Sequence, residues 1–323
     1  MKQQTVTISV PATSANLGPG FDCLGVALGL RNQVIIKPRT GGLLIRASGE
    51  GAADIARDAS NLVTQAAIYL FQRAASDGRL DDDGLQALCQ LPFEIEQHNT
   101  VPMVSGLGSS STAVVTGLLA GNAFLEDSYP LPDLLNLAAQ LEGHPDNVTP
   151  ALLGGMRLIV NAEPVRQIQI DTPLRQAAVV MPAIHFPTAA ARAALPPQVP
   201  FRDAVFNTSR LGMLLYALEA GDFELMAVCM QDRLHQPYRL PLIPGSEAAL
   251  EAARAMGGVA ALSGAGPSLI AFAPRRLPEV AAAMQAAFAA AGLESRTWIL
   301  PLDEEGSQLR VSPANLATGP QFC

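Results

Sequence analysis

The feature that most restricts this chain is the loop Ser105-Gly106-Leu107-Gly108-Ser109-Ser110-Ser111, set between Pro102 and the small, apolar run Thr112–Phe124. Glycines let backbone N–H groups approach an anion, and a helix beginning at the serines directs its positive end toward the same charge. The loop therefore predicts an anion site at the N-terminus of a buried helix. An ordinary tight loop that caps the helix with Ser109 or Ser110 is the alternative.

The familiar phosphate-binding motifs do not match. A Walker A loop needs Gly-Lys-Ser/Thr, and the chain has lysine only at Lys2 and Lys37. A dinucleotide fingerprint needs a third glycine where Ser111 stands, which also argues against a nicotinamide-dependent dehydrogenase. Protein-kinase signatures V-A-I-K, H-R-D and D-F-G are missing as well. What remains is a loop that meets phosphate with amides, a helix dipole, hydroxyls and a metal.

With 323 residues, 49% of them hydrophobic and 15% charged, the chain can bury a large core and is long enough for two domains. A net charge of −8 without a basic cluster excludes nucleic acid and anionic membrane as partners. Met1 to Ser9 hold no apolar signal region, and no run reaches the roughly 18 apolar residues that span a bilayer. Cys23, Cys89, Cys229 and Cys323 form no C-x-x-C pair, which predicts reduced thiols and a cytoplasmic protein.

Periodicity predicts strands at Thr5–Val10, Asn32–Lys37, Phe93–Gln97, Met156–Val160, Ala177–Met181, Ser268–Ala273 and Ser295–Pro301. Helices are predicted at Asn61–Ala75, Thr112–Phe124, Leu131–Glu142, Ala204–Ala220, Phe223–Met230, Glu247–Met256 and Pro278–Ala291. The mixture implies an α+β sandwich with a boundary near residue 155. Asp303 to Cys323 holds little that could pack and reads as a mobile tail.

Three segments in order now resemble the motifs of the GHMP kinases, named for galactose, homoserine, mevalonate and phosphomevalonate. They are Val10-Pro11-Ala12-Thr13-Ser14-Ala15-Asn16-Leu17-Gly18-Pro19-Gly20-Phe21-Asp22, the loop described above, and Leu262-Ser263-Gly264-Ala265-Gly266-Pro267-Ser268. Within that superfamily the first motif, Glu142-Gly143-His144-Pro145-Asp146-Asn147 and His235-Gln236-Pro237-Tyr238-Arg239 look like the homoserine-kinase branch. The resemblance covers about residues 5–300 and implies a ribosomal-protein-like nucleotide-binding domain over 1–155 and a ferredoxin-like domain over 156–302. Met103 and Val104 depart from the usual small or basic residues, and Ser111-Thr112 from the usual small ones.

The resemblance further implies ATP and Mg²⁺ as cofactors, L-homoserine as acceptor, a homodimer, and a place in threonine biosynthesis. Asp22 would take the ammonium, Arg192 and Arg239 would clamp the carboxylate, and Asn16 and Asn147 would orient the remaining polar groups. His144 and Gly264 are further substrate-site candidates, with packing beside Pro145 the alternative for His144. Pro102, Met103, Val104, Ser105, Gly106, Leu107, Gly108, Ser109, Ser110, Ser111 and Thr112 would cradle the nucleotide. Ser109 and Glu142 would hold the metal. Asn61 matches a position near the adenine and also suits a helix N-cap. Asp146 aligns with a catalytic aspartate and would act as base or simply orient Arg192 or the hydroxyl. Other GHMP kinases, acting on mevalonate or a sugar, and a non-catalytic nucleotide-binding regulator are the competing readings.

Overall fold

A computed structural model describes residues 4–313. The chain opens with two long antiparallel strands, β1 (Gln4–Asn16) and β2 (Gly20–Pro38), then β3 (Leu44–Gly49). Helices α1 (Leu62–Ser76) and α2 (Asp82–Cys89) lead to β4 (Phe93–Asn99), followed by α3 (Ser109–Phe124), α4 (Leu131–Glu142) and α5 (Pro145–Leu153). Strands β5 (Met156–Val160), β6 (Arg166–Ile170) and β7 (Gln176–Pro182) precede α6 (Thr188–Ala193), α7 (Phe201–Ala220), α8 (Phe223–Cys229) and α9 (Gln236–Arg239). The remainder is α10 (Ser246–Ala255), β8 (Val259–Leu262), β9 (Leu269–Phe272), α11 (Leu277–Ala290), β10 (Ser295–Pro301) and β11 (Gln308–Pro313).

Two sheets result, as expected for an α+β sandwich. The first runs β11-β1-β2-β4-β3, with β5 paired to both β2 and β6; the second runs β10-β7-β9-β8. The sheets do not follow a cut at residue 155, and part of the segment 303–323 forms a strand. β5, β6 and β11 all lie beyond residue 155 yet belong to the first sheet, because β1 offers a backbone edge to β11, β2 one to β5, and β5 in turn one to β6. Gln308–Pro313 pairs with Ser9–Gln4 as β11 of the first sheet, and Arg31 holds the preceding turn through Asp303 and the Gly306 carbonyl. The rest of that segment, 314–323, lies outside the described residues.

The long strands serve two cores. Val6, Ile8, Val10, Val34 and Ile36 pack under α1, α3 and α4, whereas Ala12, Leu24, Val26 and Leu28 pack against the second sheet, α7 and α8. A register shift between Pro11 and Ala12 marks the crossover, since a bulge re-aims the side chains that follow it. On the far face of the second sheet, Ala178, Val180, Leu262 and Leu269 pack against α10 and α11. α3 is buried on nearly all sides, which its small residues permit. β1, whose far end enters the site, is thereby clamped between the two cores.

Asn32 ties β2 to the segment that leads into the glycine loop. Its Oδ1 accepts from the Thr100 and Val101 amides at 2.9 and 3.0 Å, and its Nδ2 donates to Thr112 Oγ1 at 2.9 Å. Truncation would strand two backbone donors, one of them fully buried, at about 1–3 kcal/mol each when nothing replaces the bond. Asn32→Ala is therefore expected to lower stability by roughly 2 kcal/mol. Denaturant titration should show the midpoint falling with an unchanged slope.

Candidate active site

The glycine loop is held from behind by segments far away in sequence. The Thr13 amide donates to the Leu107 carbonyl at 3.1 Å, and the Ser268 amide donates to the Ser105 carbonyl at 3.2 Å. Ser263 Oγ reaches the Gly106 carbonyl and Ser14 Oγ, both at 2.8 Å. The Gly264 amide donates to the Ala15 carbonyl at 3.0 Å, and Asn16 Nδ2 returns a 2.7 Å bond to the Gly264 carbonyl. Gly106 and Gly108 are required twice over. Both have positive φ, and a Cβ would lie 2.3 Å from the Ser263 carbonyl at Gly106 and 2.0 Å from Thr13 Oγ1 at Gly108.

Gly108 is the N-cap of α3, so the first-turn amides and the helix dipole face the cleft as the loop sequence predicts. The cleft holds about 740 Å³. Met103, Val104, Ser105, Gly106, Gly108, Ser109, Ser110, Ser111 and Thr112 line it, whereas Leu107 is fully buried and neither it nor Pro102 reaches it. Leu107 packs with Val101 in the core between the sheets, so its function is to anchor the loop. Asn61 lines the cleft as the N-cap of α1, its Oδ1 accepting from the Val63 amide, and Gln97 stands against it as an amide partner at 3.1 Å.

Asn16, Asp22, His144, Asp146, Asn147, Arg192, Arg239 and Gly264 all line the same cleft. Asn16 Oδ1 accepts from the Asp22 amide at 2.9 Å and so sets the turn that presents Asp22. Arg192, on α6, grips Asp22 with two bonds of 3.1 and 3.2 Å. With side chains 40% and 35% exposed, such a pair contributes roughly 1 kcal/mol or less, so a ligand bearing both charges can displace it.

Arg239, on α9, is different. Its residue is 2% exposed, its Nε donates to the Ala191 carbonyl, and among the described residues it has no ion-paired carboxylate. Burial, with Arg192 nearby, pulls its pKa down to about 10, which leaves it charged at neutral pH. A short polar cluster aims it. Asp232 accepts from the Leu234, His235 and Gln236 amides and from Asn207 Nδ2, while Gln236 Oε1 accepts from the Leu262 amide. His235, driven toward its neutral form by burial, bonds the Gly18 carbonyl and stacks on Phe21 at 5.2 Å.

Asp146 sits in the first turn of α5 and is 2% exposed. Its Oδ1 meets His144 Nδ1 at 2.8 Å and Asn147 Nδ2 at 3.3 Å, while Oδ2 has no hydrogen bond among the described residues. Neighbouring Cys23 stays a thiol, since burial and then the carboxylates of Asp146 and Asp22 push it up to about 11. Glu142, at the end of α4, accepts from Ser110 Oγ at 2.6 Å and Ser111 Oγ at 3.0 Å. The structure thus joins Glu142 to Ser110 and Ser111, with Ser109 beside them in the cleft. No group of three metal-ligating side chains occurs among the described residues. One carboxylate with hydroxyls still suits Mg²⁺, which takes most of its ligands from water and phosphate.

The sequence matches the GHMP kinases N terminal domain over residues 61–155 and the GHMP kinases C terminal over residues 214–290. A GHMP-type small-molecule kinase is therefore the class that fold and cleft define. The chain is 40% identical over 310 residues to the homoserine kinase of Synechocystis sp., covering 94% of this chain and 97% of that one. Identity to the homoserine kinase of Moorella thermoacetica is 42% over 292 residues, covering 89% and 94%. A crystal structure of homoserine kinase from Cytophaga hutchinsonii superposes with a TM-score of 0.80 at 28% identity, covering 96% of this chain and 98% of that one. The chain belongs to the homoserine kinase family of the GHMP kinases.

Sequence reasoning passed over Asn32, Thr13, Gln97 and Asp232. Thr13 stands inside a recognised motif, but nothing in its spacing shows that its hydroxyl meets Asn147. Asp232, three residues before His235, carries the one local signal, that of a side chain capping the following turn.

The hydrogen bond to Asp146 raises the His144 pKa above its ordinary value, so protonation favours the folded state. That contribution is full below the ordinary value of about 6.5 and disappears as pH rises through the raised one. His144→Gln should therefore lower the melting temperature most in mildly acidic buffer, and the gap from wild type should narrow at alkaline pH.

Proposed function

We propose that this protein transfers the γ-phosphoryl group of ATP to the side-chain hydroxyl of L-homoserine, giving O-phospho-L-homoserine and ADP. The observation that carries the reading is Arg239, a buried guanidinium that lines the cleft beside the glycine loop and has no ion-paired carboxylate among the described residues. A charge held out of water in this way favours an anion that can bond to it directly. Asp22 and Arg192 lie beside it as an exposed acid and base. An amino acid zwitterion satisfies all three, its carboxylate on the arginines and its ammonium on Asp22.

The loop amides and the N-terminus of α3 receive the triphosphate, and the base lies toward Asn61 and Gln97. Glu142 with the hydroxyls of Ser110 and Ser111, and Ser109 beside them, would hold Mg²⁺. When bound, the ion neutralises phosphate charge. Asp146 Oδ2 accepts the hydrogen of the acceptor hydroxyl and aims its oxygen at the γ-phosphorus. A loose transition state asks mainly for in-line placement and charge neutralisation, so a carboxylate that orients the nucleophile is sufficient. The resemblance supports a homodimer acting in the cytoplasm in threonine biosynthesis. No helix among the described residues is long and apolar enough to cross a membrane.

ADP release with Mg²⁺-ATP should be measured against L-homoserine, mevalonate, galactose and L-threonine, with products identified by mass spectrometry. Homoserine should be strongly preferred. ATP binding without turnover on homoserine would sink the assignment. Arg239→Ala should raise KM for homoserine about a hundred-fold, since removing one partner of a buried charge pair costs roughly 3 kcal/mol, while ATP affinity measured by calorimetry stays near wild type.

A further inference from the structure

Thr13 lies on the part of β1 that passes behind the phosphate loop and is completely buried. Its amide holds the Leu107 carbonyl at 3.1 Å, and its hydroxyl donates to Asn147 Oδ1 at 2.8 Å. The hydroxyl is also pressed against the N-cap of α3, where a Cβ on Gly108 would lie 2.0 Å from Thr13 Oγ1 and 3.3 Å from Asn147 Oδ1. One side chain thus touches the element that receives phosphate and the amide that contacts Asp146.

Asn147 offers a carbonyl and an NH₂ of nearly the same shape, and only the NH₂ can donate to a carboxylate. With Oδ1 on the Thr13 hydroxyl, Nδ2 faces Asp146 Oδ1. His144 Nδ1 approaches that same oxygen. Both contacts therefore fall on one oxygen of Asp146, a residue that lines the cleft, and leave the other without a hydrogen bond among the described residues. Without the hydroxyl, a carbonyl in a tight, buried setting loses its donor, and rotation of the amide to recover one swings Nδ2 away from Asp146.

We infer that Thr13 is a positioning residue for phosphoryl transfer, its hydroxyl fixing the Asn147 amide so that Asp146 presents Oδ2 to the acceptor at a set distance from the phosphate loop. The inference rests on the kinase reading above. It concerns turnover more than binding, because Thr13 does not itself line the cleft.

The comparison is Thr13→Val, which keeps the shape and removes the hydroxyl, with Thr13→Ser, which keeps the hydroxyl. Loss of one such bond predicts a kcat about ten-fold lower for Thr13→Val, with KM for ATP and for homoserine within about three-fold of wild type. Thr13→Ser should recover most of kcat. In an Asn147→Ala background, Thr13→Val should cost less than about two-fold, because residues that act through one another are not additive. Thr13→Val with a kcat within about two-fold of wild type, or with an equal loss in both backgrounds, would overturn the inference. Should Thr13→Val not fold, as judged by ATP binding, Thr13→Ala carries the same comparison against Thr13→Ser. No homoserine turnover by the wild type would defeat the kinase reading, whereas wild-type turnover with an indifferent Thr13→Val defeats this inference alone.

Discussion

The hydrogen bonds that hold the glycine loop from behind tie it to β1 and to the segment after β8, which bring Asn16 and Gly264 into the same cleft. The carbonyls of Ser105, Gly106 and Leu107 point into the protein and are taken by Ser268, Ser263 and Thr13. With those acceptors engaged, the loop's open side is left to its amides and to the N-terminus of α3. Each bond contributes only about 1 kcal/mol net, but these groups are buried, and an unmade bond would cost more than a made one gives. The loop is therefore held in one arrangement before any ligand arrives, which is what binding a highly charged group through backbone dipoles requires.

That seam also joins the two sheets. Asn16 pairs with Ser263 as an isolated bridge, and Leu28 pairs with Leu302 in the same way. Apolar side chains from β2, β5, β8, β9, α7 and α8 fill the space between the sheets. The cleft consequently has walls from both halves: Asp22 and Asp146 from the first, Arg192 and Arg239 from the second. A pocket assembled across a packed interface keeps its charges at fixed separations, and charge spacing is how such a site would distinguish a zwitterion from a diol.

Polar groups are placed according to what they must do. Arg239 is buried on backbone carbonyls with no ion-paired carboxylate among the described residues, an arrangement that favours an anion beside it. Asp22 and Arg192 are exposed and paired with each other, so they are weakly held and easily re-partnered. Asp232 is saturated by backbone and amide donors and holds the turn that leads into α9.

The sequence by itself determined the regular elements whose periodicity is strong, among them Leu131–Glu142, Met156–Val160 and Ser295–Pro301, whose limits match the structure. It also determined the family, because three motifs in fixed order are a local property of the chain. Tertiary structure decided what depends on residues distant in sequence: that Gln308–Pro313 adds an edge strand to the first sheet, that Leu107 anchors the loop, and that Glu142 meets Ser110 and Ser111. Edge strands such as β6 and β11 are held by a neighbour's unpaired backbone more than by their own pattern, so no periodicity announces them. The same reason hides Thr13 and Asn32, whose importance lies in partners 134 and 80 residues away that only folding brings within hydrogen-bond reach.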